Sequence, residues 1–260
     1  MSLLIGTVLL RPYVVLFLLS YLVVAGRDLG LRRTAVFTVW VWLVAFIAEL
    51  ASTRIGIPFG LYHYTGDTRG SELFLSNVPF FDPLSFPFLA YAALCLARLV
   101  LGTTRSQSGR AVVKLALLSG VLMMLLDVVI DPIAVRGDRW FLGRVFWYPE
   151  GGIYFGVPLS NFVGWFVVGA IGVGGGLLAP GCPMVDDGCR NGHNPKGGVA
   201  LYYAVLVFNL AVTAWIGEWL LLASGLTLHL ILGIVLMMTL RCASAGLVGA
   251  IPGGGSGRGA

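Results

Sequence analysis

Apolar segments long enough to cross a lipid bilayer recur along the whole chain, and they restrict its fold more than any other feature. Seven of them have roughly the 17–25 residues that a membrane-spanning helix needs, at residues 9–26, 34–52, 82–101, 111–131, 161–178, 199–222 and 226–247. Because hydrocarbon offers no hydrogen-bond partner, each segment must satisfy its own peptide groups as a helix. The chain is also 58% hydrophobic and 11% charged, whereas ordinary soluble domains contain about 25% charged residues.

The sequence therefore predicts an all-α, polytopic integral membrane helix bundle with about seven transmembrane helices. Residues 1–252 are expected to form a single transmembrane domain, and residues 253–260 a disordered tail rich in glycine. We expect the first apolar segment to be a retained helix, since Arg11 and Pro12 interrupt it and no small-residue cleavage site follows it.

Positive charge is distributed unevenly between the two sides that alternating helices define. Eleven Lys and Arg residues fall in the loops after the first, third, fifth and seventh helices, and six fall on the other side. The positive-inside rule then places the N-terminus outside and the C-terminus in the cytoplasm. We expect the membrane to be a bacterial inner (plasma) membrane. The net charge of +5 reflects this topology, and we expect no nucleic-acid partner.

The cysteines do not have the spacing of a disulfide framework. Cys95 and Cys242 lie in apolar segments, where cysteine packs as a small hydrophobic residue. Cys182, Cys189 and His193 share a loop rich in glycine and proline, but their spacing matches no standard metal site. We expect neither a metal nor another cofactor.

Two long connections, residues 53–81 and 132–160, are rich in aromatic residues and glycine. Long loops of this kind are usually functional, and we expect both to be structured and to lie on one side of the membrane. An offset of 79 residues pairs Val-Pro at 78–79 with Val-Pro at 157–158, and Asp82 with Asn161. This likeness predicts a duplicated helix–loop–helix unit, at about residues 34–101 and 111–178; because the matching positions are few, chance similarity is the alternative.

Four carboxylates lie inside apolar segments, namely Glu49, Asp127, Asp131 and Glu218. Helix alternation brings all four to the side of the bundle that carries the two long loops. A charge in the bilayer costs about 2.5–3.5 kcal/mol or more, so such residues usually face a cavity and mark function. Asp127 and Asp131 share one helical face, and two carboxyls that close resist ionising together, so one keeps a proton. With Glu49 they are predicted to form a buried proton-handling cluster.

Structural explanations compete with functional ones at several of these positions. Asp131 precedes Pro132 and could simply end its helix. Asp82 precedes Pro83, a pattern typical of an N-cap followed by proline at the first helical position. Glu218 could pair with an arginine, and a lone loop histidine such as His63 is more often incidental.

The two loops are expected to supply the walls of an apolar pocket. The aromatic residues that could form these walls are Phe59, Tyr62, Tyr64, Trp140, Phe141, Phe146, Trp147, Tyr148, Tyr154 and Phe155. An aromatic belt at the membrane interface is the alternative. Aromatic faces in such a pocket would also stabilise a cationic intermediate.

Three strings resemble a known family: IPFGLYHYT at 57–65, DVVIDP at 127–132 and YFGVPLSNFVGW at 154–165. They are similar to the carotenoid biosynthesis membrane proteins typified by carotenoid 1,2-hydratases of the CruF type, and the likeness spans about residues 40–170. The resemblance implies addition of water across the terminal C1=C2 double bond of an acyclic ψ end group, as in lycopene, γ-carotene or a bacterioruberin precursor. It also implies a carotenoid, water and the lipid bilayer as partners, and a 1-hydroxy product that another enzyme of the pathway, such as a glycosyltransferase, could use.

The chemistry of hydration suggests the roles of individual residues. The predicted catalytic residues are Asp127, Asp131, Glu49 and Tyr64, where one aspartate donates the proton and its partner activates water that Glu49 and Tyr64 orient. The predicted substrate-binding residues are Phe59, Tyr62, His63, Asp82, Trp140, Trp147, Tyr154, Phe155, Asn161 and Trp165. Two other functions remain open: an end-group cyclase similar to lycopene cyclases, and a proton-coupled transporter.

Overall fold

The computed structural model describes residues 3–102, 109–179 and 195–248. The described residues form eight helices: α1 (Leu3–Leu10), α2 (Pro12–Asp28), α3 (Leu31–Ile55), α4 (Ser85–Leu101), α5 (Gly109–Ala134), α6 (Leu159–Leu178), α7 (Lys196–Trp215) and α8 (Trp219–Val248). The predicted loop with Cys182, Cys189 and His193, and the predicted disordered tail, lie outside these residues.

Each of the seven apolar segments carries a helix, which confirms the predicted helix bundle. Among the described residues, five helices are long and apolar enough to cross a membrane: α3, α5, α6, α7 and the Trp219–Thr239 part of α8. Helix α4 is also apolar but has 17 residues. The chain is therefore a polytopic membrane protein.

The sequence predicts one helix over the first apolar segment, residues 9–26. The structure instead has a break between two helices within this segment. Arg11 has φ −132° and ψ 58°, and it separates the short helix α1 from α2, which begins at Pro12. Proline lacks the N–H that would continue a helix and disfavours helical geometry in the residue before it, so it fits the first helical position. The break leaves the Arg11 side chain at the end of the bundle that carries the long loops.

Helix α4 is the central element of the bundle. Every residue from Phe86 to Ala97 is buried, because α2, α3, α5, α6 and α7 all pack against this helix. The pair with the most extensive packing is α5 and α6. Gly120 and Gly169 let these two helices approach closely, since the two glycines face each other across the contact. Small residues commonly allow such close contacts between membrane helices.

The two long loops cover the same end of the bundle and are joined to each other. The first spans residues 56–84 and the second residues 135–158. Strand β1 (His63–Tyr64) of the first loop pairs antiparallel with β4 (Phe146–Trp147) of the second, so that Tyr64 lies opposite Phe146. Within the first loop, β2 (Phe74–Leu75) pairs with β3 (Val78–Pro79). The two loops therefore form one cover over this end of the bundle, and this cover of residues 56–84 and 135–158 is called the roof.

Three structural expectations need correction or completion. Asp131 does not end its helix, because α5 continues through Pro132 to Ala134. Asp82 is not an N-cap: α4 begins at Ser85, and the Asp82 carboxylate pairs with Arg11 instead. Glu218 lies in the turn between α7 and α8 and pairs with two arginines, Arg136 and Arg139, as the structural alternative predicted.

Candidate active site

Asp127 and Asp131 lie one turn apart on the last part of α5 and share a single amide partner. Asn161, in the first turn of α6, donates from its Nδ2 to Asp127 Oδ2 at 2.6 Å and to Asp131 Oδ2 at 2.7 Å. The Trp165 indole N–H, one turn further along α6, lies 3.4 Å from the same Asp131 oxygen. The two carboxyls are also within hydrogen-bonding reach of each other. An acid pair so arranged and buried from water holds one proton between its members.

Glu49 supplies a third carboxyl from the end of α3. Its side chain is buried, and its Oε2 accepts a hydrogen bond of 2.9 Å from the Tyr64 hydroxyl on β1. The Tyr62 hydroxyl lies 3.5 Å from that of Tyr64. The pairing of β1 with β4 fixes the backbone that carries both tyrosines.

Burial raises the pKa of the Tyr62, Tyr64 and Tyr148 phenols well above the ordinary value. The neighbouring Glu49 carboxyl adds to the effect at Tyr62 and Tyr64, and the Asp131 carboxyl adds to it at Tyr148. These loop tyrosines therefore stay neutral at physiological pH and can donate hydrogen bonds.

Glu49 and Asp131 line one cavity beneath the two loops. It has a volume of about 990 Å³, counting the space at its opening. Helices α2, α4 and α7 contribute apolar side chains to its wall, namely Val14, Phe17, Phe88, Leu89, Val205 and Phe208. The cavity thus combines a largely apolar wall with a cluster of proton-bearing groups, a combination typical of ligand sites.

Aromatic rings lie beside the Asp131 carboxyl. Phe86 stacks on Trp165 with centroids 4.3 Å apart and an angle of 11° between the planes. Phe59, from the first loop, lies 6.0 Å from Phe86 and 6.2 Å from Trp165. All three rings line the cavity, where an aromatic face attracts positive charge.

A buried arginine lies at the same end of the cavity. Arg11 is 5% exposed; its Nη2 lies 3.3 Å from Glu72 Oε1, and its Nη1 pairs with Asp82. Glu72 also accepts a hydrogen bond from Thr68. Two carboxyl groups thus contact the one guanidinium, and the cluster connects the start of α2 to the first loop.

The structure brings nine of the fourteen predicted site residues to the cavity wall: Glu49, Tyr64, Asp131, Phe59, Tyr62, Asp82, Trp140, Asn161 and Trp165. Asp127 lies behind this wall, fully buried and bonded to Asn161. His63 and Trp147 are exposed neighbours in the β1–β4 pair. Tyr154 packs against Phe162, and the Phe155 carbonyl binds Arg136. None of the last four lines the cavity.

Several cavity residues were not predicted. Arg11 could have been recognised from the sequence, because a cation inside an apolar segment is as unusual as the four acids. Phe17, Phe208 and Asn209 lie in apolar helices, and no pattern in the sequence distinguishes them from residues that pack elsewhere. Among the described residues, no group of three or more His, Cys, Asp or Glu side chains could hold a metal ion.

Comparison with known proteins agrees with the resemblance carried by the three strings. The chain is 32% identical over 216 residues to the bisanhydrobacterioruberin hydratase of Haloarcula japonica, an alignment that covers 77% of this chain and 69% of that protein. No solved structure matches the chain. The family model described as "Carotenoid biosynthesis protein" matches residues 3–240. The chain therefore belongs to the carotenoid biosynthesis protein family.

Proposed function

We propose that this protein is a carotenoid hydratase that adds water across the C1=C2 double bond of an acyclic ψ end group, giving a 1-hydroxy carotenoid. The observation that carries the proposal is one cavity that Glu49 and Asp131 line together with apolar and aromatic side chains, with Asp127 paired to Asp131 behind its wall. The similarity to a hydratase from Haloarcula japonica supports the same reaction class.

In this proposal the aspartate pair is the source of the proton. Asp131 is the member that lines the cavity, and Asp127 lies behind it on the same Asn161 amide. A carboxylic acid kept neutral by its surroundings can act as a general acid at neutral pH. Asp131 then protonates C2, and the carboxylate that it becomes keeps the hydrogen bond from the Asn161 amide.

Protonation leaves a tertiary cation at C1, which Phe59, Phe86 and Trp165 are placed to stabilise. Water then attacks C1, and Glu49, oriented by Tyr64, accepts the proton that the water loses. The reaction transfers no electrons, so we propose that it needs no redox cofactor. Since both proton-transferring groups lie at one end of the bundle, the polyene would extend from there along α2, α4 and α7.

The distribution of positive charge indicates which side of the membrane the site faces. Among the described residues, the basic side chains at the roofed end are Arg11, Arg54, Arg69, Arg136, Arg139 and Arg144, and those toward the other end are Arg27, Arg32, Arg33, Arg98, Arg110, Lys114 and Lys196. In the sequence, the loops on that other side hold eleven Lys and Arg residues and the loops on the roofed side hold six. We therefore propose that the roof faces outward from a bacterial inner membrane and that the C-terminus is cytoplasmic.

Pigment analysis in a bacterium that makes lycopene or γ-carotene tests the reaction. The wild-type protein is expected to convert the pigment into a product heavier by one or two molecules of water. Asp131→Asn and Asp127→Asn are each expected to lower this conversion by at least about 100-fold, because general acid catalysis typically contributes that much.

The matched control is Asp67→Asn, which alters an exposed carboxylate in the first loop and should convert the pigment like the wild type. A product of unchanged mass but altered absorption would show cyclisation and contradict hydration. Conversion by Asp131→Asn at the wild-type level, with equal protein in the membrane, would remove Asp131 from the mechanism.

A further inference from the structure

Two phenol hydroxyls in the cavity lack full hydrogen bonding to the protein. The Tyr148 hydroxyl has no hydrogen-bond partner within residues 3–102, 109–179 and 195–248, and the Tyr62 hydroxyl has only the 3.5 Å contact with Tyr64. The two side chains are 8% and 5% exposed, and both line the cavity. A buried hydroxyl that faces a cavity needs a partner from within it.

The two tyrosines lie near the carboxyl groups on both sides of the cavity, Glu49 and the aspartate pair. Tyr62 interacts electrostatically with Glu49 and Asp131, and Tyr148 interacts with Asp131, Asp127 and Tyr62. The two tyrosines come from different loops, and their ring centroids are 5.8 Å apart. Together they connect the Glu49 side of the cavity to the aspartate side.

The packing around the tyrosines fixes where their hydroxyls point. The Phe146 ring, on β4, contacts Tyr62 edge-on at 5.6 Å and Tyr148 edge-on at 5.9 Å. Because β4 pairs with β1, the rings of both loops are held in one aromatic cluster. The hydroxyls are therefore preorganised and need no rearrangement to bind a small polar molecule.

A water molecule fits this arrangement of donors and acceptors. Ordered water in a protein interior typically makes about three hydrogen bonds to otherwise unsatisfied groups. A tyrosine hydroxyl can donate to the water oxygen or accept from it, and Glu49 can accept one of its protons.

Building on the proposed function, we infer that Tyr148, with Tyr62, holds the attacking water and decides the fate of the carbocation. With water in place, its oxygen forms the C1–O bond while one of its protons passes to Glu49. Without it, the cation loses a proton to a carboxylate. Loss from C2 restores the C1=C2 double bond, and loss from a methyl group on C1 forms a double bond between C1 and that carbon. The first route adds water, whereas the second returns an unhydrated carotenoid.

The two routes are distinguishable in deuterium oxide. An acid that has exchanged its proton delivers deuterium to C2, so a cation that then loses a proton gives a carotenoid that carries deuterium but no water. Membranes with wild-type protein, Tyr148→Phe, Tyr62→Phe, Asp131→Asn and Tyr202→Phe would be incubated with lycopene in deuterium oxide. Mass spectrometry would then measure hydrated product and deuterium in the unhydrated pigment.

Tyr148→Phe is expected to lower hydrated product about 10-fold, the effect of one lost hydrogen bond, and to raise deuterium in the unhydrated pigment. Tyr62→Phe should shift the ratio in the same direction and serves if the Tyr148 variant does not accumulate. Asp131→Asn should lose both signals. Tyr202→Phe, which removes a buried hydroxyl that binds the Leu122 carbonyl on α5, should keep the wild-type ratio.

Two results would overturn the inference. One is a wild-type ratio of hydrated to deuterated pigment in both Tyr148→Phe and Tyr62→Phe. The other is loss of both signals together in these variants while Tyr202→Phe keeps them, since the tyrosines would then be needed for protonation. Failure of the wild-type protein itself to hydrate or deuterate the pigment would contradict the proposed function instead.

Discussion

At the scale of single residues, the chemistry of each buried acid depends on its partner. Asn161 gives both protons of its amide to the aspartate pair, and it therefore fixes the direction in which each carboxyl points. The sequence predicted Asn161 as a binding residue, a polar cap opening a helix. The structure shows it in the first turn of α6, turned toward α5, where it positions the acids.

The loop tyrosines predict how stability depends on pH. Burial keeps the pKa of Tyr148 well above its usual value, whereas in the unfolded chain it ionises near pH 10, roughly the ordinary pKa. Its contribution to stability is present below about pH 10 and is lost as pH rises further, because only the unfolded state then releases the proton. We expect Tyr148→Phe to make the thermal midpoint fall less steeply between about pH 10 and 11.

Thermal unfolding in detergent, followed from neutral pH upward, measures this difference between wild type and variant. The absorbance of phenolate gives a second readout. If Tyr148→Phe removed a phenolate signal that titrates near the ordinary value in the folded protein, the phenol would not be buried as described.

A site residue could be predicted from the sequence when its residue type is rare in the segment that carries it. Acids inside apolar segments are few, so Glu49, Asp127 and Asp131 are recognisable from the sequence alone. Aromatic residues are common in both loops, and the sequence could not separate Trp140, which lines the cavity, from Trp147, which is exposed on β4. That separation depends on the direction of each side chain.

At the scale of elements, the contact between α5 and α6 aligns the aspartates with Asn161. A Cβ atom at Gly120 would lie 2.5 Å from the Phe166 carbonyl oxygen and 3.1 Å from the Ala170 Cβ. Both atoms are part of α6 or attached directly to its backbone, so neither can move without moving the helix. The closeness of these helices is therefore a condition for the geometry of the acid pair.

Gly120→Ala is expected to destabilise the protein by about 1–3 kcal/mol, the typical effect of overpacking, and to lower hydration by displacing Asn161. The matched control is Gly233→Ala on α8, where a Cβ atom meets nothing within 4 Å. Thermal unfolding and pigment analysis of both variants measure the effect. Equal stability of Gly120→Ala and the wild type would show that α6 can shift at no cost.

The helices could be predicted from hydropathy, but the pairing of the loops could not. Strands β1 and β4 have two residues each, which is too short for a period-two pattern to be read. Their pairing joins residues 63 and 147, a contact set by how the bundle brings the loops together. The break at Arg11, in contrast, follows from Pro12, which interrupts the apolar segment in the sequence itself.

At the scale of the whole molecule, two hairpins, α3–α4 and α5–α6, form most of the cavity. Helix α3 ends at Ile55 and α5 ends at Ala134, which follows it by 79 residues. This spacing equals the offset of the Val-Pro strings. Duplication of a helix–loop–helix unit therefore stays a prediction, with one further correspondence in its favour.

The proposed orientation predicts which end of the bundle an impermeant reagent can reach. In a chain whose four cysteines are replaced by serine, Arg69→Cys in the first loop should react with a membrane-impermeant maleimide on intact cells. Arg32→Cys, exposed at the opposite end of the bundle, should react only after the cells are opened. The reverse result would place the roof in the cytoplasm and invert the topology.

The joining of the two loops has a consequence for how such a catalyst can arise. Residues 31–101 supply Glu49 and Tyr64 but no aspartate pair, and residues 109–178 supply the pair but no Glu49. A gene for either hairpin alone would encode only some of the proton-transferring groups that we propose. Selection could therefore act on water addition only once both hairpins occurred in the same membrane, facing the same way.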